Sequence, residues 1–306
     1  MIPFIDLHAQ QKLIRKRIDK RIKQVLDHGQ YILGPEVKEL EDRLSSFTGS
    51  KYVLCCSSGT DALLLSLLGL KIKPGEGVIV PAFTFASSAE VMPLLGAIPI
   101  FVDVKHDTFN IDPTKLPDTL DTAKELGVDV KGIMPVGLFG QPAEMDLIND
   151  FAKNNNLWVL DDAAQSFGGI HKDKIVGNLS EVAATSFFPA KPLGCYGDGG
   201  ALFTNDDTLA EKARMIVNHG MKVRYYHDEI GVNSRLDSIQ AAVLSVKLQK
   251  LNKYNRSRNN AANYYDQVFS EIEELQTPVR VENSTHVFHQ YTLRVLNGHH
   301  IKVGQI

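Results

Sequence analysis

The apolar positions of this chain follow two different periods, and the change comes near residue 50. Before it, Ile14, Ile18 and Ile22 recur every four residues, with Val25 and Leu26 extending the row. Lysines and arginines fill the positions between, so residues 12–26 are predicted to form an amphipathic helix with a basic outer face. Pro35 suits the first position of a second helix, where its missing N–H costs nothing, and Gly49 suits its end. After residue 51, short apolar runs take over: Tyr52–Cys55, Val78–Val80, Ile98–Val102, Gly132–Val136, Trp158–Leu160, Ala183–Phe187 and Ala201–Phe203. Several are continuous rather than alternating, the pattern of strands buried on both faces. Helical stretches separate them, which predicts an α/β fold with a mostly parallel central sheet and helices on both faces.

Residues 207–219 read as a further helix. A long helical region with a break is expected from Leu236 to Phe269, and His286–Val295 reads as a strand. The expected division is a helical segment at 1–30 packing with a small domain, a large domain at 31–235, and a long helix plus part of a small α+β domain at 236–306. No internal repeat and no Pro/Gly/Ser-rich linker interrupts the chain.

Composition narrows the function without selecting one. Hydrophobic residues make up 43% of the 306, enough for a substantial core, and the formal net charge of -3 argues against a nucleic-acid partner. The basic face of the first helix is therefore read as solvated surface. Cys55, Cys56 and Cys195 are odd in number and lack a repeating spacing, so neither a disulfide framework nor a zinc site is expected, and a reducing compartment fits. Met1–Gln11 lacks the charged start and apolar run of a signal peptide. The most apolar stretch, Val78–Val102, is broken by Pro81, Glu90, Pro93 and Pro99, so no membrane span is expected and the location is taken as cytoplasmic.

In parallel sheets ligands sit beyond the carboxyl ends of strands. Four segments lie there. Ser57-Ser58-Gly59-Thr60-Asp61-Ala62 follows the first strand and opens a helix; its free N–H groups could receive a phosphate, although a plain helix cap reads the same way. Asp161-Asp162-Ala163-Ala164-Gln165 puts two carboxylates at a strand end, where they could pair with a pyridine nitrogen, bind Mg²⁺ or cap a helix. Ser186 to Gly194 carries Lys191 among Phe188, Pro189, Ala190, Pro192 and Leu193. Desolvation there would lower the amine's pKa and favour Schiff-base chemistry, against the alternative of an ordinary loop lysine. Cys195-Tyr196-Gly197-Asp198-Gly199-Gly200 reads as a tight turn, with Cys195 taken as packing. His286 and His289 suggest a metal site, but in a strand they would point to opposite faces.

Taken in order, these segments resemble the DegT/DnrJ/EryC1/StrS family of sugar aminotransferases, a branch of the fold-type I pyridoxal phosphate enzymes. The resemblance runs from residue 2 to about 296. It includes Phe4-Ile5-Asp6-Leu7, Gly29-Gln30-Tyr31-Ile32-Leu33-Gly34-Pro35-Glu36, Pro81-Ala82-Phe83-Thr84-Phe85 and Gly231-Val232-Asn233-Ser234-Arg235-Leu236-Asp237 as well as the segments above. It implies that Lys191 carries the cofactor covalently and that Asp162 pairs with its ring nitrogen. Gln165 would stand near the ring's phenolic oxygen and Phe85 over one ring face. Gly59, Thr60 and Ser186 would cradle the phosphate. Asn233 would reach the phosphate from the neighbouring subunit of a homodimer. Glutamate is the implied donor and a nucleotide-linked keto-sugar the acceptor, with Lys191 moving the proton.

Within that family the segments look most like members that aminate C3 of a UDP-linked 2-acetamido-3-keto-hexuronic acid for bacterial O-antigen or lipopolysaccharide precursors. Arg235 would then bind the sugar carboxylate across the dimer, against the alternative of a structural salt bridge. A C4 or neutral-sugar aminotransferase is the neighbouring expectation. A dehydratase of the same scaffold would carry histidine in place of Lys191. Family members continue beyond the position of Ile306 with a segment that completes the small domain, so the chain as given is expected to bind cofactor yet turn sugar over poorly, or to be a catalytically impaired cofactor-binding relative.

Overall fold

The computed structural model describes residues 5–296, so Phe4 of the opening motif and the stretch 297–306 lie outside it. Seven strands form one sheet: β1 Tyr52–Cys56, β2 Glu76–Pro81, β3 Ile98–Val102, β4 Asp129–Ile133, β5 Trp158–Asp162, β6 Val182–Ser186 and β7 Gly200–Thr204, in the order β1-β7-β6-β5-β4-β2-β3. Pairing is parallel from β3 through β2, β4 and β5 to β6. Strand β7 runs antiparallel to both its neighbours, β6 and β1. All seven apolar runs are strands of this sheet. The fourth is displaced towards the N-terminus: Val136 lies past the end of β4 and meets the sheet in an isolated bridge to Asp162.

Helices cover both faces, as continuous apolar strands require. On one face, α3 Gly59–Gly69, α4 Ser87–Leu94 and α7 Asp207–Ile216 pack through Leu63, Leu67, Val91, Met92, Leu209 and Ile216 onto Leu54, Val80, Leu160 and Leu202. On the other, α2 Pro35–Thr48 and α8 Ser238–Leu248 cover Val53, Cys55, Ala201 and Phe203. Helices α5 Leu116–Glu125 and α6 Met145–Asn154 cover Ile79, Ile133 and Val159 on that same side. Alternate residues of β1 thus serve opposite layers, which is the two-residue period of a strand made visible.

The first helix, α1 Leu7–His28, lays Ile14 and Ile18 against Val243 and Val246 of α8. Val25 is also buried, but Leu26 is 55% exposed. One residue advances a helix by about 100°, so Leu26 falls outside the stripe that Val25 continues. The basic face is locally neutralised: Arg15 Nε lies 2.7 Å from Asp19, Lys23 Nζ 2.9 Å from Asp27, and Arg21 pairs with Glu39 of α2. Pro35 opens α2, and Gly49 closes it at φ 80, its N–H returning to Ser45 O at 2.8 Å. The long helical region is two helices, α8 and α9 Leu251–Phe269, separated at Gln249–Lys250. No helix among the described residues is long and apolar enough to cross a membrane.

The strand expected at His286–Val295 is not formed. Only Arg294–Val295 pairs, antiparallel, with Leu275–Gln276. Phe288 adopts φ 47, which no extended strand tolerates. Its neighbours bond to a turn instead of a strand: Val287 N–H donates to Gly140 O at 2.7 Å and Gln290 N–H to Phe139 O at 3.1 Å. Strand alternation therefore does not govern His286 and His289.

Candidate active site

A cleft of about 1250 Å³ opens where β5 and β6 end and α3 begins. Gly59, Thr60, Phe85, Asp162, Gln165, Ser186 and Lys191 all line it, so one cavity gathers seven residues spread over more than 130 positions of the chain. Each is placed there for a local reason.

Helix α3 starts under a side-chain cap: Ser58 Oγ accepts from Asp61 N at 3.0 Å. Asp61 in turn accepts from Ser57 and, at 2.7 Å, from Ser234 Oγ, which ties the helix start to a distant loop. The first N–H groups of a helix have no carbonyl of a preceding turn to meet, and Gly59 and Thr60, at the start of α3, line the cleft. Gly59 is required by close approach. A Cβ there would lie 2.5 Å from Ser186 Cβ, so only a bare α-carbon lets the helix start and the end of β6 share one cradle.

Asp161 and Asp162 part company as neighbours on a strand must. Asp162 lines the cleft; Asp161 does not. They cannot jointly hold one Mg²⁺ on a single face, and among the described residues no group of three or more His, Cys, Asp or Glu is placed to hold a metal ion. Ser88 Oγ donates to Asp162 Oδ2 at 2.8 Å and Ala164 N–H to Oδ1 at 3.1 Å, fixing the carboxylate's plane. Burial raises the Asp162 pKa, while Ser88, Ala164 and the Lys191 charge pull it down. Asp161 is pushed up to about 7 by burial and by the charge of Asp162, and its Oδ2 has no partner among the described residues.

Lys191 sits in the loop after β6, which closes on itself through Cys195 N–H to Phe187 O at 2.8 Å and Phe187 N–H to Gly199 O at 2.7 Å. The Cys195–Gly200 segment is an open bend rather than the tight turn expected, because these longer-range bonds already return the chain to β7. Burial pulls the Lys191 ammonium below the usual lysine range and Asp162 opposes the pull. Gln165 Oε1 accepts from Phe139 N at 2.8 Å. A backbone N–H can only donate, so the oxygen is committed and the NH₂ is the end left for the cleft. Cys195 is fully buried and its thiol is pushed up to about 11 by burial, so it packs.

Asn233 and Arg235 do not line this chain's cleft. Arg235 Nη1 donates to Asn218 Oδ1 at 2.9 Å and Nη2 to Asn233 Oδ1 at 2.7 Å. Its partners are neutral amides, so the structural salt bridge weighed for Arg235 is not what holds it. The segment is seated behind the start of α3 by Ser57 N–H to Ser234 O at 3.1 Å.

Several residues in or behind the cleft wall escape sequence reasoning. Thr84 and Ser88 form a chain to Asp162, with 3.0 Å between their hydroxyl oxygens. Their four-residue spacing at a helix start was the available signal. Tyr265, Phe269 and Tyr291 arrive from a distant part of the chain with no local pattern to mark them, and His289, weighed in the sequence only as a metal ligand, joins them.

A buried carboxylate at the end of β5, a partly desolvated lysine in the loop after β6 and the start of α3 line one cleft, an arrangement that fits a pyridoxal phosphate-dependent aminotransferase of fold type I. The match extends to the whole chain: the family model for the DegT/DnrJ/EryC1/StrS aminotransferases covers residues 12–305, and the chain belongs to that family. It is similar to the UDP-2-acetamido-2-deoxy-3-oxo-D-glucuronate aminotransferase of Pseudomonas aeruginosa, with 49% identity over 297 residues, 97% of this chain and 81% of the relative. Among solved structures, a DegT/DnrJ/EryC1/StrS aminotransferase from Brucella abortus superposes with a TM-score of 0.94 at 41% identity, over 97% of this chain and 80% of that one. NtdA of Bacillus subtilis, solved with bound PMP, superposes with a TM-score of 0.88 at 30% identity, over 96% of this chain and 66% of that one.

Proposed function

We propose that this enzyme transfers an amino group from glutamate to C3 of a UDP-linked 2-acetamido-3-keto-hexuronic acid. The observation that carries the reading is the single cleft that holds Lys191, Asp162 and the Gly59–Ser186 cradle in a chain 49% identical to an aminotransferase of that sugar. Gly59, Thr60 and Ser186 would hold the phosphate of pyridoxal phosphate, Asp162 its ring nitrogen, Gln165 its phenolic oxygen and Phe85 one ring face. When bound, the cofactor supplies a conjugated electron sink that carries the amino group between donor and acceptor.

The chain's own residues then divide the work. Lys191 Nζ, with its pKa lowered by burial, takes the proton from the donor's α-carbon and returns one on the sugar side. Asp162, held by Ser88 and Ala164, keeps its carboxylate aimed into the cleft through both halves of the reaction. The active unit is a homodimer in which Asn233 completes the phosphate site of the partner's cleft and Arg235 binds the sugar carboxylate there. Neither residue lines its own chain's cleft. The Asn218 and Asn233 oxygens hold the guanidinium without neutralising it, which leaves its charge for an anion. The product is a precursor of a bacterial surface polysaccharide of the O-antigen or lipopolysaccharide kind, made in the cytoplasm.

The test has two parts. Borohydride reduction of the holoenzyme and peptide mapping should place the cofactor on Lys191, and label on another lysine would overturn that assignment. Glutamate should bleach the cofactor's visible band, after which mass spectrometry with a panel of nucleotide keto-sugars should show the amino product from the UDP-3-keto-hexuronate. Conversion of other keto-sugars in its place would refute the substrate.

A further inference from the structure

His171 and His286 lie outside the cleft lining, and each has its Nδ1 in a hydrogen bond. His171 Nδ1 lies 2.7 Å from Ser284 Oγ and its Nε2 3.2 Å from Asp146 Oδ2. His286 Nδ1 accepts from Phe288 N at 3.0 Å, and its ring stacks on Phe288 at 4.0 Å between centroids. His289 differs. It lines the cleft with Lys191, and its Nδ1 is buried with no hydrogen-bond partner among the described residues. A buried polar atom without a partner costs about 1–3 kcal/mol, so such an atom in a cleft wall asks for a functional account.

The backbone around His289 is clamped. Val287 N–H and Gln290 N–H bond to Gly140 O and Phe139 O on either side of it. Gly140 has φ 121, and a Cβ there would lie 2.7 Å from His289 N, so the turn fits this segment only as glycine. The same Phe139 holds Gln165 through its N–H. One turn therefore positions a side chain on each of two cleft walls.

The ring is also held uncharged. Burial, the Lys191 charge and the Arg258 charge lower the His289 pKa to about 3. A neutral imidazole has one N–H and one bare lone pair. Orphaned buried N–H groups are rarer than under-satisfied acceptors, which puts the bare lone pair on Nδ1 in the wall and the proton on Nε2. The cleft then receives a neutral donor beside the amine that moves the proton. Gln290, Tyr291 and Thr292 line the same cleft, the Tyr291 hydroxyl donating to Asp266 Oδ1 at 2.7 Å. A carboxylate partner would draw a proton onto the ring, which Lys191 and Arg258 oppose, so an uncharged oxygen is the matching acceptor.

We propose that His289 is a substrate-binding residue whose Nε2–H donates to a hydroxyl or carbonyl oxygen of the sugar ring beside the reacting carbon. The proposal rests on the nucleotide-sugar reading above and assigns the residue to the sugar half of the reaction, not the amino-donor half. The experiment is calorimetric titration of the pyridoxal phosphate-loaded enzyme with UDP-2-acetamido-2-deoxyglucuronate, which carries a hydroxyl where the substrate has its keto group and does not react. His289→Ala should weaken binding about tenfold, the effect of one hydrogen bond of about 1.4 kcal/mol, whereas His289→Gln, which keeps a neutral N–H donor, should stay within about threefold. Glutamate-driven bleaching should remain within about twofold in both variants, since an interaction made only with the sugar leaves that half untouched. Unchanged probe affinity in His289→Ala, equal loss in the glutamine variant, or a matching loss in the glutamate half-reaction each overturns the proposal. If the unaltered enzyme does not bind the probe, the sugar assignment itself fails; if it binds and His289→Ala binds equally, only the role of His289 fails.

Discussion

Replacing Gly59 by alanine puts a methyl carbon 2.5 Å from Ser186 Cβ, 3.0 Å from Ser186 Oγ and 3.1 Å from Ser186 Cα. Carbon atoms in comfortable contact stand ~3.5–4.0 Å apart, so the start of α3 and the end of β6 must separate by roughly 1 Å. Those two elements are the opposite sides of the proposed phosphate cradle. Over-packing of this kind costs ~1–3 kcal/mol, and the free protein can relieve it by opening the cradle. Binding the phosphate must then close it again, so the strain is read as lost cofactor affinity: ~5-fold to 150-fold at about 1.4 kcal/mol per decade. Titration of the apoenzyme with pyridoxal phosphate, followed by absorbance, measures this directly. Gly132→Ala supplies the comparison. Its Cβ would lie 2.1 Å from the Trp158 ring, and Gly132 does not line the cleft. That variant should melt at a lower temperature yet bind cofactor normally while folded. Wild-type cofactor affinity in Gly59→Ala, or an equal loss in Gly132→Ala, would refute the reasoning.

Asp162→Asn should lower turnover by several orders of magnitude, because the proposed ring-nitrogen partner loses its charge; Asp161→Asn should not, and steady-state kinetics of the pair distinguishes them. The same Asp161 variant carries a pH prediction. The folded-state pKa of Asp161 is raised to about 7 from 3.8, so its contribution to stability is fully present below pH 3.8 and declines as pH rises to about 7, then stays flat. The wild type minus Asp161→Asn difference in thermal stability should fall across that window, and a difference that rises or stays level would be the contrary result. Arg235→Ala should reduce the preference for uronic over neutral keto-sugars, measured as a ratio of kcat/KM values, and an unchanged ratio would remove the carboxylate role. Ser58→Ala removes the α3 cap and should cost about 1 kcal/mol of stability, checked by denaturant unfolding.

How much of this was legible without a fold depends on whether the signal was local. The seven sheet strands announced themselves because each is buried on both faces and so is apolar throughout, and Pro35 and Gly49 bounded α2 because their backbone limits allow little else. Lys191 and Asp162 stood out locally as charged groups beside apolar strands, with a loop lysine, a metal ligand or a helix cap as equal alternatives, and only the resemblance of several segments in order assigned their roles. Alternation, a property of any extended strand, says that only one of Asp161 and Asp162 can face the cleft, and the resemblance named Asp162 as that one. The stretch His286–Val295 was misread for the opposite reason. Its backbone bonds go to the Leu138–Gly140 turn, about 150 residues earlier, and nothing within the stretch records that partner. Ser88, clamping Asp162 from 74 positions away, and His289, delivered to the cleft past α9, likewise exist as site residues only once the chain has closed. Local periodicity determined which segments become strands and helices, because burial and backbone geometry act within a few residues. Tertiary packing alone decided which side chains meet around Lys191, because that depends on contacts between segments far apart in the chain.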